Sequence, residues 1–171
     1  SRAQGFEKGN YRNSLDYDLV RNRTIVHFSD VPRQAVTIFK KELREAKTDR
    51  DLIEARYGLA LANSKDKKHT LALENIREAL NLDSENLILQ IGLLEMHIAA
   101  ENFFEAEALA ASLLSTNPNN YPITMLYNQV LMNKGDYETG EEILRKLTLI
   151  RPQDPQIWYW LAEVQGLDKN I

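Results

Sequence analysis

The stretch GDYETGEEILRKLTLIRP, Gly135 to Pro152, decides the fold. It opens on a turn signal, Gly135-Asp136, followed by Tyr137. It then sets Gly140, Leu144 and Leu147 on one helix face and stops the helix at Pro152. The same stations recur one period earlier as Glu101-Asn102, Phe103, Ala106, Ala110, Leu113 and Pro118. Another equal step back gives Lys67-Lys68, His69, Ala72, Ile76, Ala79 and Ser84. Offsets of four and seven residues from the small residue keep each apolar set on a single helical stripe. The step from Ala72 to Ala106 and on to Gly140, a period of about 34 residues, belongs to a solenoid of helix–turn–helix units. One such unit cannot bury its apolar face alone, and stacked units leave a concave surface suited to binding.

The frame extends in both directions. Twelve residues before each small residue lie Ala60, Leu94 and Asn128, preceded by Leu59, Leu93 and Tyr127, which mark the first helix of each unit. The regular units are 53–86, 87–120 and 121–154, with a partial unit over 155–171 that opens on Trp158 and Leu161-Ala162. An irregular unit, 15–52, precedes them. There Ala35, Phe39 and Leu43 share a helix face, but the interval from Ala35 to Ala72 exceeds the period by three positions. The helix before that, about Ser14 to Phe28, carries Leu15, Leu19, Asn22 and Val26 along one stripe. Ser29 or Asp30 is the expected N-cap ahead of Pro32, and Thr48 or Asp49 the next. Residues 1–14, with Gly5, Gly9, Asn10 and Asn13, read as a linker or a frayed end. The expected class is all-α, with about nine helices and no strand signals.

Composition narrows the chemistry. The chain has 171 residues, 43% of them apolar, and a formal net charge of −4. No apolar run reaches the roughly 20 residues a spanning helix requires. The acidic balance and the lack of a basic, aromatic-interleaved stripe exclude nucleic acid as the expected partner. Without cysteine there are no disulfides and no thiolate metal sites. His27, His69 and His97 form no HExxH motif, and His69 and His97 read as helix-packing or turn residues. Neither a phosphate-cradling glycine loop nor a nucleophile elbow occurs. Lys40-Lys41, Arg44 and Lys47 read as a solvated face beside a helix C-terminus. This chain is therefore not expected to be an enzyme, nor to hold a metal or cofactor.

The pattern resembles the tetratricopeptide repeat. Gly135-Asp136-Tyr137 and Asn117-Pro118-Asn119-Asn120 follow that family closely. Gly140, Ser84 and Lys67-Lys68-His69 depart from it at single positions without breaking the register. In such solenoids the first helix of each unit lines the concave face. The register then nominates Tyr57, Leu61, Ile91, Glu95, Ile98, Met125, Gln129, Met132, Tyr159 and Glu163 as partner-binding residues. Adaptable Met and rigid Tyr suit extended or apolar protein segments. The Lys and Asn clamp by which some members hold a peptide carboxylate is missing, since Tyr57 and Leu61 stand in its first two places. Trp158 is expected to plug the space between neighbouring helices; Trp160 faces elsewhere, partly exposed, and is expected to pack at the C-terminal end.

A narrower likeness follows from segment order. Residues 15–23 (LDYDLVRNR) precede Ala35-Val36-Thr37-Ile38-Phe39, then Arg56-Tyr57-Gly58-Leu59-Ala60-Leu61, and finally Arg151-Pro152-Gln153-Asp154-Pro155-Gln156-Ile157-Trp158. This order resembles the C-terminal repeat region of periplasmic zinc metalloproteases of the beta-barrel assembly-enhancing protease family. The resemblance implies a periplasmic interaction module acting in outer-membrane protein assembly and quality control. Its partners would be the assembly machinery, beta-barrel clients and the module's own protease domain, and zinc would belong to that domain. The alternative is a generic repeat scaffold from another bacterial envelope assembly, in secretion or pilus biogenesis.

Overall fold

A computed structural model describes residues 11–168, with side-chain surroundings for 15–167. Among the described residues there are nine α-helices and no strand. They are α1 (Tyr11–His27), α2 (Pro32–Glu45), α3 (Asp49–Lys65), α4 (His69–Leu82), α5 (Leu87–Ala99), α6 (Phe103–Thr116), α7 (Tyr121–Lys134), α8 (Tyr137–Ile150) and α9 (Pro155–Asp168). Tyr11 to Ser14, expected to belong to the linker, are instead the first turn of α1. The rest of that expected linker, residues 1–10, lies outside the described residues.

The helix boundaries follow from local chemistry that itself repeats. Asn86 and Asn120, one period apart, cap α5 and α7 by accepting from the backbone N–H of Leu89 (3.2 Å) and Ile123 (3.1 Å). Each satisfies an amide that the first helical turn leaves without a partner. Thr48 caps α3 through a capping box. Its hydroxyl accepts from Asp51 N–H, and the Asp51 carboxylate accepts from the N–H groups of Thr48 and Lys47. At α2 the expected caps give way to Val31, which places no side chain on the helix end, while Pro32 takes the first helical position. The turns inside the helix pairs all need one left-handed residue: Lys67 (φ 60°), Glu101 (φ 59°) and Gly135 (φ 79°). Only the third is glycine, the residue that adopts this conformation without steric cost.

The chain divides into two compact units, one ending at Ala100 and one beginning at Glu101. The division falls inside the register unit 87–120. In the first compact unit, Leu15 and Leu19 of α1 share a core with Ile53, Tyr57, Ala72, Ile76, Leu89 and Met96. A neighbouring cluster joins Val26, Ala35, Phe39, Leu59 and Ala62. Close helix approach is built into this unit: a Cβ at Gly58 would lie 2.5 Å from the Phe39 ring. A Cβ at Gly92 would lie 3.2 Å from the Tyr57 ring. In the second unit Leu144 and Leu147 of α8 pack with Ile157, Leu161 and Val164 of α9. The register's small residues Ala72, Ala106 and Gly140 are all buried, as close helix crossings require.

Candidate protein-binding faces

In the first unit α1 engages inner-face positions of α3 and α5, Tyr57 and Glu95 among them. The α1 stripe read from the sequence is fully engaged, with Leu15, Leu19, Asn22 and Val26 all buried. Asn22 Nδ2 donates to the Glu54 carbonyl at 3.1 Å. Arg23 forms a two-pronged bond to the Glu95 carboxylate, at 2.8 and 2.6 Å, the fork geometry that makes arginine–carboxylate pairs directional. Asp18 pairs with Arg50, and Asn86 Nδ2 donates to Asp16 Oδ1 at 3.2 Å. The end of α1 is held by Lys65, whose ammonium donates to the carbonyls of Val26, His27 and Ser29 at 2.9, 2.8 and 2.7 Å. A cation there complements both the orphan carbonyls and the negative end of the helix dipole.

This arrangement corrects one expectation directly. Tyr57, nominated as a groove residue, is 0% exposed. It shares a core with Leu15 and Leu19 of α1, and its ring lies against α5, where Gly92 leaves it room. Burial pushes its hydroxyl above the usual tyrosine range, against the opposing pull of the Arg23 guanidinium. Glu95 keeps the charged form of Arg23 favoured beyond its ordinary value, chiefly through their hydrogen bond. Burial raises Glu54, and Arg50, bonded to it at 2.9 Å, pulls the other way. Ile98 is also buried, so it is not a free contact. Leu61, Ile91 and Glu95 stay half-buried. Leu61 and Glu95 line a cavity of about 310 Å3 with Arg23, Ser64, Lys65 and Met96, at the end of α1.

The second unit carries the other nominated residues on α7 and α9. Met125 and Met132 are partly buried, packed on the core of Leu144, Ile157 and Leu161. Gln129 and Glu163 are exposed, and Tyr159 is 59% exposed with its ring edge-on to Trp160. Trp160 is half-buried, as expected, whereas Trp158 departs from its expected role as a plug between helices. Trp160 packs on the core, and Trp158 is 49% exposed and donates its Nε1–H to the Pro152 carbonyl at 2.8 Å.

A further cavity of about 340 Å3 in the second unit was not nominated by the register. It is lined by Leu114, Tyr121, Ile143, Leu147 and Ile150, with Arg151 stacked 4.2 Å over the Tyr121 ring. Its residues come from helix ends and from the second helices of units, where inward-position counting does not look. Among the described residues no group of three or more His, Asp or Glu side chains comes together as a metal site. No helix there is long and apolar enough to cross a membrane.

Helix pairs repeating at one fixed period define the class: a tetratricopeptide-like helical repeat fold, an architecture that suggests protein–protein interaction. Residues 97–164 match the tetratricopeptide repeat family model. A solved structure of a MamA mutant is similar in fold, with a TM-score of 0.62 over 89% of this chain and 81% of that one. Sequence identity across that match is 15%, so the likeness is one of fold. No curated protein matches the sequence.

Proposed function

We propose that this chain is a protein-binding module whose accessible partner surface lies on α7 and α9. The carrying observation is that Gln129, Tyr159 and Glu163 remain exposed at inward register positions, flanked by the adaptable side chains of Met125 and Met132. Such a surface offers a rigid aromatic, two thioethers and two polar groups, the mixture that holds a protein segment by shape and a few hydrogen bonds. An extended segment must be ordered on docking, so affinity per contact is modest.

The wider setting follows from segment order across residues 14–165. That order supports a C-terminal repeat region of a periplasmic zinc metalloprotease, presenting beta-barrel clients or the outer-membrane assembly machinery to a protease domain. On this reading the zinc chemistry resides in that domain, and these helices do the capturing. Photo-crosslinking residues introduced at Gln129, Tyr159 and Glu163 in the full-length protein test the surface. Crosslinked partners from these positions, and not from exposed Glu105 or Ala108 of α6, are the expected result. The reverse pattern refutes the surface. A full-length gene without an HExxH motif refutes the protease setting.

A further inference from the structure

Helix α1 lies on the face that the register reserves for a partner. It engages Tyr57 and Glu95, nominated inward positions of α3 and α5, and the backbone carbonyl of Glu54. We propose that α1 is an internal ligand of this face, and that the face accepts in its place a partner helix with α1's own pattern. That pattern is an aliphatic side chain at i and i+4, an amide at i+7, a cation at i+8 and a C-terminal end on Lys65. In α1 these are Leu15, Leu19, Asn22 and Arg23, with the carbonyls of Val26 and His27 on the Lys65 ammonium.

Three features make α1 displaceable rather than a fixed wall. Its apolar hold is a single stripe, since Leu15, Leu19 and Val26 are buried while Tyr17, Val20 and Ile25 on its other faces are exposed. Its polar hold is partly solvated. The Arg23 side chain is 45% exposed, and ion pairs open to water exchange partners at small cost. Third, the face is not filled to its end. Beside Arg23, Val26 and His27, the cavity they line with Leu61, Ser64, Lys65 and Glu95 leaves a foothold from which an incoming helix can compete before α1 has left. Glu95 takes its cation partner from α1 itself, so a replacement helix must bring a cation at the Arg23 position. Once released, α1 has no partner for its stripe, and a 17-residue helix alone in water is marginal.

The inference rests on the reading of inward positions as binding surfaces, and its test is separate from the crosslinking of α7 and α9. The probe is a fluorescein-labelled peptide of residues 11–28, titrated by anisotropy into the full chain. The intact protein is expected to bind it weakly because α1 is already seated. In Leu19→Ala/Arg23→Ala, which loosens α1, binding is expected to tighten by about tenfold, since a larger fraction of the face is free. Adding Glu95→Lys is expected to abolish that gain. Equal affinity for the intact protein and the double variant overturns the proposal, as does a gain that survives Glu95→Lys. Should the double variant fail to fold, hydrogen exchange of the unaltered protein decides. Amides of α1 exchanging well ahead of those in α3 and α5 support the proposal, and exchange only together with them overturns it. Peptide exchange that succeeds where α7 and α9 crosslink nothing refutes the second-unit surface alone.

Discussion

Tyr57 and Tyr159 are the same residue at the same place in the repeat, three full periods apart, yet one is 0% exposed and the other 59%. Register position therefore does not set whether a residue is available to a partner. What decides is the element laid over it. Tyr57 shares a core with Leu15 and Leu19 of α1, and its ring fills a space held open by Gly92. Tyr159 stands on α9 with its ring edge-on to Trp160. A repeat pattern thus specifies a face, and the irregular segments flanking the pattern specify whether that face is open.

The largest expected effect separates the two tyrosines by stability. Tyr57→Ala is expected to lose about 3–5 kcal/mol in urea unfolding, the range for emptying a large buried side chain. Tyr159→Ala is expected to stay within about 0.5 kcal/mol, as for an exposed site. Similar losses at both positions break the contrast. Glycines sharpen it next. Gly58→Ala drives a Cβ to 2.5 Å from the Phe39 ring, so a loss of about 1–3 kcal/mol is expected from overpacking. Gly166→Ala, whose Cβ meets nothing within 4 Å, is expected to gain up to about 1 kcal/mol from helix propensity.

The turns give a smaller, signed effect. Lys67→Gly and Glu101→Gly relieve left-handed backbone and are expected to raise stability by about 1 kcal/mol each, read from the unfolding midpoint. Gly135→Ala is expected to lose a similar amount, about 1 kcal/mol. The smallest effect lies at the start of α3. The Lys47 amide, with the Thr48 hydroxyl and amide, holds the Asp51 carboxyl below its ordinary value of 3.8. A depressed carboxyl contributes stability above its unfolded value and loses it as pH falls through the lowered folded value. Asp51→Asn is therefore expected to flatten the acid limb of a pH–melting curve below about pH 4 and to leave the neutral limb nearly parallel.

Much of the fold was legible because its signals are periodic. Ala72, Ala106 and Gly140 fixed the frame, and the stripe of Leu15, Leu19, Asn22 and Val26 named a buried face before any partner for it was known. That stripe also held the missing information about Tyr57. A helix with a buried stripe must rest on something, and periodicity within a helix does not say on what. The tryptophans show the same limit. Trp158 and Trp160 lie two residues apart on one helix, and which of them faces the core depends on where α8 packs. Caps were legible where a short polar residue stands ahead of an acidic first turn, as at Thr48 with Asp49 and Asp51. They were missed at Asn86 and Asn120, although the repeat spacing between these two carried the signal.

The most direct test is the relative reactivity of the two tyrosines in the unaltered protein. Nitration with tetranitromethane under native conditions, followed by peptide mapping in a mass spectrometer, reads each ring separately. Modification of Tyr159 with Tyr57 protected until the chain is denatured is the predicted result. Equal nitration of both in the folded protein would contradict the claim that α1 engages Tyr57 on the inner face of the first unit.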